Sequence, residues 1–467
     1  MNLPLNSTLL TGLIYLNAAV FFGLAGATQE TPPNIVLIIS DDQCWTDFGF
    51  MGHAEIQTPH LDRLASESAL FTRGYVPTAL CRPSLMTIIT GRYAHQHRTS
   101  GNDPSPALAK KNSPEYQNLR ARLIAHIDEY PTLPGLLGER GYVSHQSGKW
   151  WEGSYVRGGF TDGMTQGFPE PGGRHGDKGL EIGRKGMQPI LQFVDQAVSH
   201  QKPFFIWYAP FLPHSPHNPP ERLLKKYSKS GRSMQLAKYY AMCEWFDETC
   251  GQLLDHLRSK DLTDNTLVVF VTDNGWIQRT PETEVPENWR TSFAPRSKQS
   301  PNEGGVRTPI ILSWPGKIPA GRRDELVSSI DLMPTLLAIA GADVPGDLPG
   351  VNLWPVVQAQ GKPIQRETLF GEGFAHDIAD LENPEASLLY RWCIQGQWKL
   401  LLTYDGVTVR YAPVHLREEK RPQLFDLLQD PHEKHNLAAR HPGVVARLAA
   451  LIEDWWPVKD RQVLTSF

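Results

Sequence analysis

Two apolar runs of the chain end in acidic pairs. "NIVLIIS" leads into Asp41 and Asp42, and "TLVVFVT" leads into Asp273 and Asn274. In α/β folds ligands gather at the carboxyl ends of strands. Three carboxylates and an amide delivered there make a hard, all-oxygen donor set that suits Ca2+ ahead of Mg2+. Acidic residues after a strand also begin turns and cap helices, and either pair alone carries no more than that. Two pairs, each behind a buried strand, point to a metal.

Cations stand in separate loops. Lys149 in "SGKWWEG", Lys298 in "SKQSPNEGG", Arg92 in "TGR" and His214 in "PFLPHSPHNPP" all lie among glycines and prolines rather than on helix faces. One such lysine is ordinary solvated surface. Several beside a divalent cation make a pocket for a tetrahedral oxyanion such as sulfate or phosphate. Cys81 opens "CRPSLMTIITGR". On residue type alone it is a nucleophile, a metal ligand or a buried thiol.

These groups need a frame. The runs at 34–40, 203–209, 266–272 and 308–314 are continuously apolar and rich in β-branched and aromatic residues, as strands covered on both faces are. Helical patterns lie between them, at "TPHLDRLASESA" and at "MQLAKYYAMCEWFDETCGQLLDHLRSK". In the second, Leu236, Tyr239, Cys243, Phe246, Cys250, Leu253 and Leu257 recur at steps of three and four. The pattern predicts an α/β sandwich with a largely parallel central sheet flanked by helices. Cys243 and Cys250 are then about 10.5 Å apart along one helix, too far for a disulfide. Cys44 and Cys393 belong to no motif. Residues 97–130 and 275–306 read as long irregular loops, which in a compact domain are usually functional. After about Leu353 the texture changes to a hairpin turning at "QGQ" and a closing amphipathic helix. The expected division is 28–355 for the main domain and 356–467 for a smaller C-terminal subdomain.

At 467 residues the chain can bury a large core, and 46 basic against 50 acidic residues give a net charge of -4. Without a run of like charge, it is not built to grip nucleic acid or an anionic membrane. Residues 1–27 carry no charge and run through an apolar stretch, Leu9 to Leu24, into "AGA". That is the pattern of a secretory signal, and Asn17 and two glycines leave the run short of the roughly 20 residues a membrane span needs. The expected location is secreted or periplasmic.

The ordered series "NIVLIISDDQ", "TPHLDRLA", "CRPSLMTIITGR", "GKWWEG", "PHSPH", "VTDNG", "EGGVRTP", "DLMPTLL" and "LFDLLQDPHEKHNLA" resembles the formylglycine-dependent sulfatases of the alkaline-phosphatase superfamily. The resemblance implies an alkaline-phosphatase-like sandwich with a smaller C-terminal α+β part. It implies that a formylglycine-generating enzyme oxidises Cys81 to formylglycine, whose hydrated aldehyde attacks sulfur. Asp41, Asp42, Asp273 and Asn274, with the modified Cys81, would hold a Ca2+. Lys149, Lys298 and His214 would neutralise sulfate and protonate the leaving alcohol, with His217 in reserve, and Arg92 would brace the modified residue. Export suits a sulfated polysaccharide or oligosaccharide as substrate. A phosphodiesterase or phosphonate monoesterase of the same superfamily, or a sulfated-glycan-binding pseudoenzyme, are the rival readings.

The chain departs from the family pattern twice. Leu85 stands where Cys-x-Pro-Ser-Arg has its arginine, and Trp151 where Gly-Lys-Trp-His has its histidine. Indole has one donor and no acceptor, so Trp151 cannot act as a base. His145, His95 and His97 are the expected substitutes. Trp150 and Trp151 either line a sugar subsite or pack in the core.

Overall fold

The four continuously apolar runs form strands in the computed structural model, which describes Met1 and residues 32–358, 361–408, 411–415 and 421–464. The leader predicted at 1–27 lies outside the described residues, Met1 apart. The strands are Asn34–Ser40, Phe204–Ala209, Thr266–Thr272 and Arg307–Ser313, and Arg307 alone among their residues is not fully buried. They lie in a nine-stranded sheet. Its centre is parallel, with Thr266–Thr272, Asn34–Ser40, Phe204–Ala209 and Val143–Gly148 side by side in that order. Arg307–Ser313 runs antiparallel to both of its neighbours, Thr266–Thr272 and Ala69–Tyr75. "ALFTRGY" and "VSHQSG" hold too many polar residues to announce themselves as strands.

Strand alternation divides the core into two layers. Ile35, Leu37 and Ile39 pack on the face that also holds Cys81, Leu85 and Ile88, while Val36 and Ile38 pack opposite with Phe246, Cys250 and Leu253. The second group comes from the long helix Met234–Ser259, whose first turn is capped by the Ser233 hydroxyl accepting from the Leu236 N–H. Asp247 of the same helix accepts from the His60 and Leu61 N–H groups and so ties down the start of the Pro59–Ser66 helix. All five cysteines are free and buried. The region 97–130 is more regular than its polarity suggested. It contains the helix Pro114–Ala125, started by Ser113 as N-cap and Pro114 at the first position, with an apolar face too weak to show in the sequence pattern.

Beyond the main sheet, Thr368–Phe374, Leu388–Gln395, Trp398–Thr403 and Gln423–Asp426 form an antiparallel sheet in that order, backed by the helix Pro442–Trp455. The hairpin turns at Gly396, whose φ of 62 suits glycine. Lys399 of this sheet is fully buried, with its ammonium 2.8 Å from Glu303 and 2.9 Å from Glu433. Lys399→Met keeps the volume of the stem but leaves two buried carboxylates without the ammonium they share. It is expected to cost about 3–5 kcal/mol, read as a lower urea midpoint. A change below about 1 kcal/mol would mean that water reaches the pair. No helix among the described residues is long and apolar enough to cross a membrane.

Candidate active site

Parallel pairing of Asn34–Ser40 with Thr266–Thr272, ending at Ser40 opposite Thr272, makes the two acidic pairs emerge side by side. Asp42 sits in the left-handed region at φ 63, a conformation that surrounding contacts must hold. Its N–H donates to Asp273 Oδ1 at 3.0 Å, and the Asn274 N–H donates to the same oxygen at 2.7 Å. The Asn274 amide donates in turn to Asp42 Oδ1 at 2.7 Å.

Lys149 follows Gly148, where a Cβ would lie 1.8 Å from the Ala209 carbonyl, so only glycine lets the two strand ends approach. Its ammonium lies 2.5 Å from Asp41 Oδ1 and 3.6 Å from Asp273 Oδ2. Lys298, from the loop 275–306, lies 2.5 Å from Asp42 Oδ1 and 3.0 Å from Cys81 Sγ. His214 Nε2 is 3.3 Å from Asp42 Oδ2, with the ring stacked on Phe211 at 4.2 Å. Cys81 is the first residue of the buried helix Cys81–Thr90, where the helix dipole favours negative charge.

Four buried oxygens here form no well-aligned hydrogen bond: Asp41 Oδ2, Asp42 Oδ2, Asp273 Oδ2 and Asn274 Oδ1, although His214 Nε2 approaches Asp42 Oδ2 and the Lys149 ammonium faces Asp273 Oδ2. Each would cost about 1–3 kcal/mol if left so. They come from the two acidic pairs, and the ligand atoms of Asp41, Asp42, Cys81 and His214 all lie within 4.8 Å of one another. A divalent, oxygen-seeking cation fits this donor set.

Burial pushes the Asp41 carboxyl well above its usual range, with Lys149 opposing. Burial acts on Asp42 too, but Lys298 and His214 outweigh it and hold that carboxyl low. Lys149 stays well above the ordinary lysine range because Asp41, Cys81 and Asp273 overcome its burial. Burial also holds His214 well below its usual range, against Asp42. The Cys81 thiol is pushed up to about 12 by burial, in spite of the two lysines. As a bare thiol it is a poor nucleophile at neutral pH.

A cavity of about 380 Å³ opens over these groups, walled by Asp42, Cys81, Lys149, His214 and Lys298 together with Trp151 and loop residues of 290–293. Arg92 is not brought there. It lies beyond the C-terminal end of the Cys81 helix, about 15 Å along the axis, where it pairs with Asp347 at 2.6 Å and lies over the Tyr130 ring. Gly91 beside it is the left-handed residue that ends the helix. The position next to Cys81 is braced by Arg82 instead, buried in a double contact with Glu152 at 2.8 and 2.6 Å. Leu85, one turn beyond Cys81, is a core residue.

None of the three expected substitute histidines reaches the cavity. His145 packs on Phe193 and faces Asp162, His95 pairs with Glu372 at 2.7 Å, and His97 meets Thr87 at 3.3 Å. His217 rests against Tyr239 and Trp276. Trp150 is core, against Phe160 and Trp207, while Trp151 faces the cavity.

The imidazole beside Trp151 is His175, which sequence reasoning passed over. Its ring centre is 5.2 Å from that of Trp151 and 5.5 Å from that of Phe211, and its buried Nδ1 has no partner. Burial, then the charges of Lys149 and Arg174, push its pKa down to about 3. The ring is therefore uncharged at physiological pH. Its signal was available, since "PGGRHGDKG" is a glycine-rich loop like those that carry Lys149 and Lys298.

A family model described as sulfatase matches residues 33–342, and one described as N-sulphoglucosamine sulphohydrolase, C-terminal, matches 297–454. The N-acetylgalactosamine-6-sulfatase of Canis lupus familiaris is 29% identical over 91% of this chain and 85% of its own. Arylsulfatase A of Homo sapiens is 29% identical over 91% of this chain and 88% of its own. The crystal structure of Ps i-CgsB in complex with k-i-k-neocarrahexaose superposes with a TM-score of 0.68 at 25% identity, covering 91% of this chain and 93% of that one.

Proposed function

Since the chain belongs to the sulfatase family, we propose that it is an exported hydrolase removing sulfate from a sulfated carbohydrate, through a formylglycine hydrate made from Cys81 and a Ca2+ at Asp41, Asp42, Asp273 and Asn274. The observation that carries this reading is the set of four buried oxygens without a well-aligned hydrogen bond, gathered beside Cys81 and two lysines at one cavity. The relatives named N-acetylgalactosamine-6-sulfatase support a sugar sulfate as the ester, and the uncharged leader at 1–27 supports export.

The chemistry explains why a thiol alone would not serve. A covalent sulfo-enzyme is useful only if it can be broken down. One hydroxyl of the hydrate attacks sulfur while the bond from sulfur to the sugar oxygen breaks. The second hydroxyl then gives up its proton, the aldehyde re-forms and sulfate departs. When bound, the cation supplies charge to the sulfuryl oxygens and polarises the hydrate. Lys149 and Lys298 neutralise the remaining oxygens. The attacking hydroxyl gives up its proton as it bonds to sulfur, and His214, which burial keeps neutral at rest, passes a proton on to the leaving oxygen. His175 takes the proton from the second hydroxyl in place of the histidine that Trp151 displaces.

The test is peptide mass spectrometry across Cys81, on protein expressed with a formylglycine-generating enzyme, together with parallel assays on aryl sulfate and aryl phosphate diester. Aldehyde at 81 with sulfate release is the expected pair of results. Faster diester cleavage would move the chain to the phosphodiesterases, and an intact thiol with saturable glycan binding would make it a pseudoenzyme. His175→Gln is expected to lower kcat about 10²–10³-fold. A sulfo-enzyme should then accumulate and appear by mass, whereas unchanged kcat would assign the base elsewhere.

A further inference from the structure

The cavity carries more positive charge than one sulfate ester uses. Around the sulfur site, three carboxylates face two lysines and the proposed divalent cation, which leaves one positive charge to match one sulfate ester. Arg174 and Arg290 also line the cavity, and neither belongs to that set.

Arg174 is built into place. Its guanidinium grips the buried Asp103 through both Nε, at 3.1 Å, and a terminal nitrogen, and it lies 4.6 Å over the Trp151 ring. The charge of Asp103 is already met from behind by Arg120 at 3.4 Å. The other carboxylate nearby, Asp377, faces His376 Nδ1 at 2.7 Å. The Arg174 side chain keeps 37% of its surface open, so a fixed, planar, charged donor faces the cavity. Arg290 is exposed on the loop that also carries Lys298, and it shows no ion-pair partner among the described residues. Guanidinium groups held in this way suit a planar or tetrahedral oxyanion. The Trp151 face beside Arg174 suits a sugar ring.

We infer that the cavity holds a second anionic group of the substrate, a carboxylate or a further sulfate on the same or the adjoining sugar, with Arg174 as its specificity-determining residue and Arg290 at the rim. This rests on the sulfatase reading and narrows it to doubly charged saccharide sulfates.

Three disaccharides that share one sulfate ester test it: one with a neutral partner sugar, one with a uronic acid, one with a second sulfate. Sulfate release and calorimetric binding are measured for each. The expected kcat/KM is about 10- to 100-fold higher for one of the doubly charged probes, and which one it is separates carboxylate from sulfate. Arg174→Gln should collapse that ratio toward one, and Arg290→Gln should reduce it a few-fold and serve as the check if Arg174→Gln folds poorly. Equal kcat/KM and equal affinity across the three probes would overturn the inference, as would a preference that survives in both variants. A chain that binds doubly charged sugars more tightly through Arg174, yet releases no sulfate, keeps the second-anion site and sinks the hydrolase reading alone.

Discussion

Cys81→Ala is expected to lose sulfate release by at least about 10⁴-fold, to the background left by binding and charge stabilisation alone. The side chain removed is small and sits at the first position of its helix, where the N-cap Leu80 offers no side-chain hydrogen bond, so the helix itself has little to lose. Ser215, Thr291 and Ser292 line the wall, but among the described contacts none of their hydroxyls meets a lysine as Cys81 meets Lys298 at 3.0 Å. Because Lys149, Lys298 and His214 remain, the variant should still bind a sulfated saccharide, and retained binding without turnover is the signature to look for. Residual activity near the native level would mean that the nucleophile is elsewhere.

The same residue shows what the sequence could and could not disclose. Asp41, Asp42, Asp273 and Asn274 were legible because a buried strand has a strong local signature and its end is a fixed address. In the structure each pair comes directly off its strand. Lys149, Lys298 and His214 were legible as polar groups in tight, glycine- and proline-bound loops. Arg92 misled because sequence spacing says nothing of which way a helix points. Ten helical residues carry it to the far end, where Asp347 receives it. His175 and Arg174 were missed for the opposite reason, since a loop brings them over Trp151 from more than twenty residues away. No periodicity encodes that approach.

Leu85 belongs to the same lesson. Seen in the sequence it was a missing arginine; in the structure it is buried in the layer that supports Cys81. Restoring arginine there would bury a charge in an apolar layer. A gain in Cys81 modification from Leu85→Arg would come at a cost in stability.

Asp273→Asn is the second large effect, an expected loss of about 10³-fold or more in turnover together with loss of Ca2+ binding. The choice of asparagine matters. Asp273 Oδ1 accepts the Asp42 and Asn274 N–H groups at 3.0 and 2.7 Å, so alanine would release both loops and confuse metal loss with collapse of the site. Asparagine can keep that acceptor while it removes the charge from Oδ2, one of the four oxygens without a well-aligned hydrogen bond. Activity alone would not separate these roles, but thermal stability does. A ligand that binds only the folded state stabilises it by RT ln(1 + [L]/Kd), about 2.7 kcal/mol at a hundredfold excess over Kd. The native chain should therefore melt higher in Ca2+ than in chelator, and Asp273→Asn should lose most of that difference while its melting in chelator stays at or above the native value. The last point rests on the acceptor that asparagine keeps at Oδ1 for the Asp42 and Asn274 N–H groups, which holds the two loops together without a cation. A variant that lost activity yet kept the full Ca2+ shift would show that the cation is held without Asp273, and the four-oxygen site would be wrong.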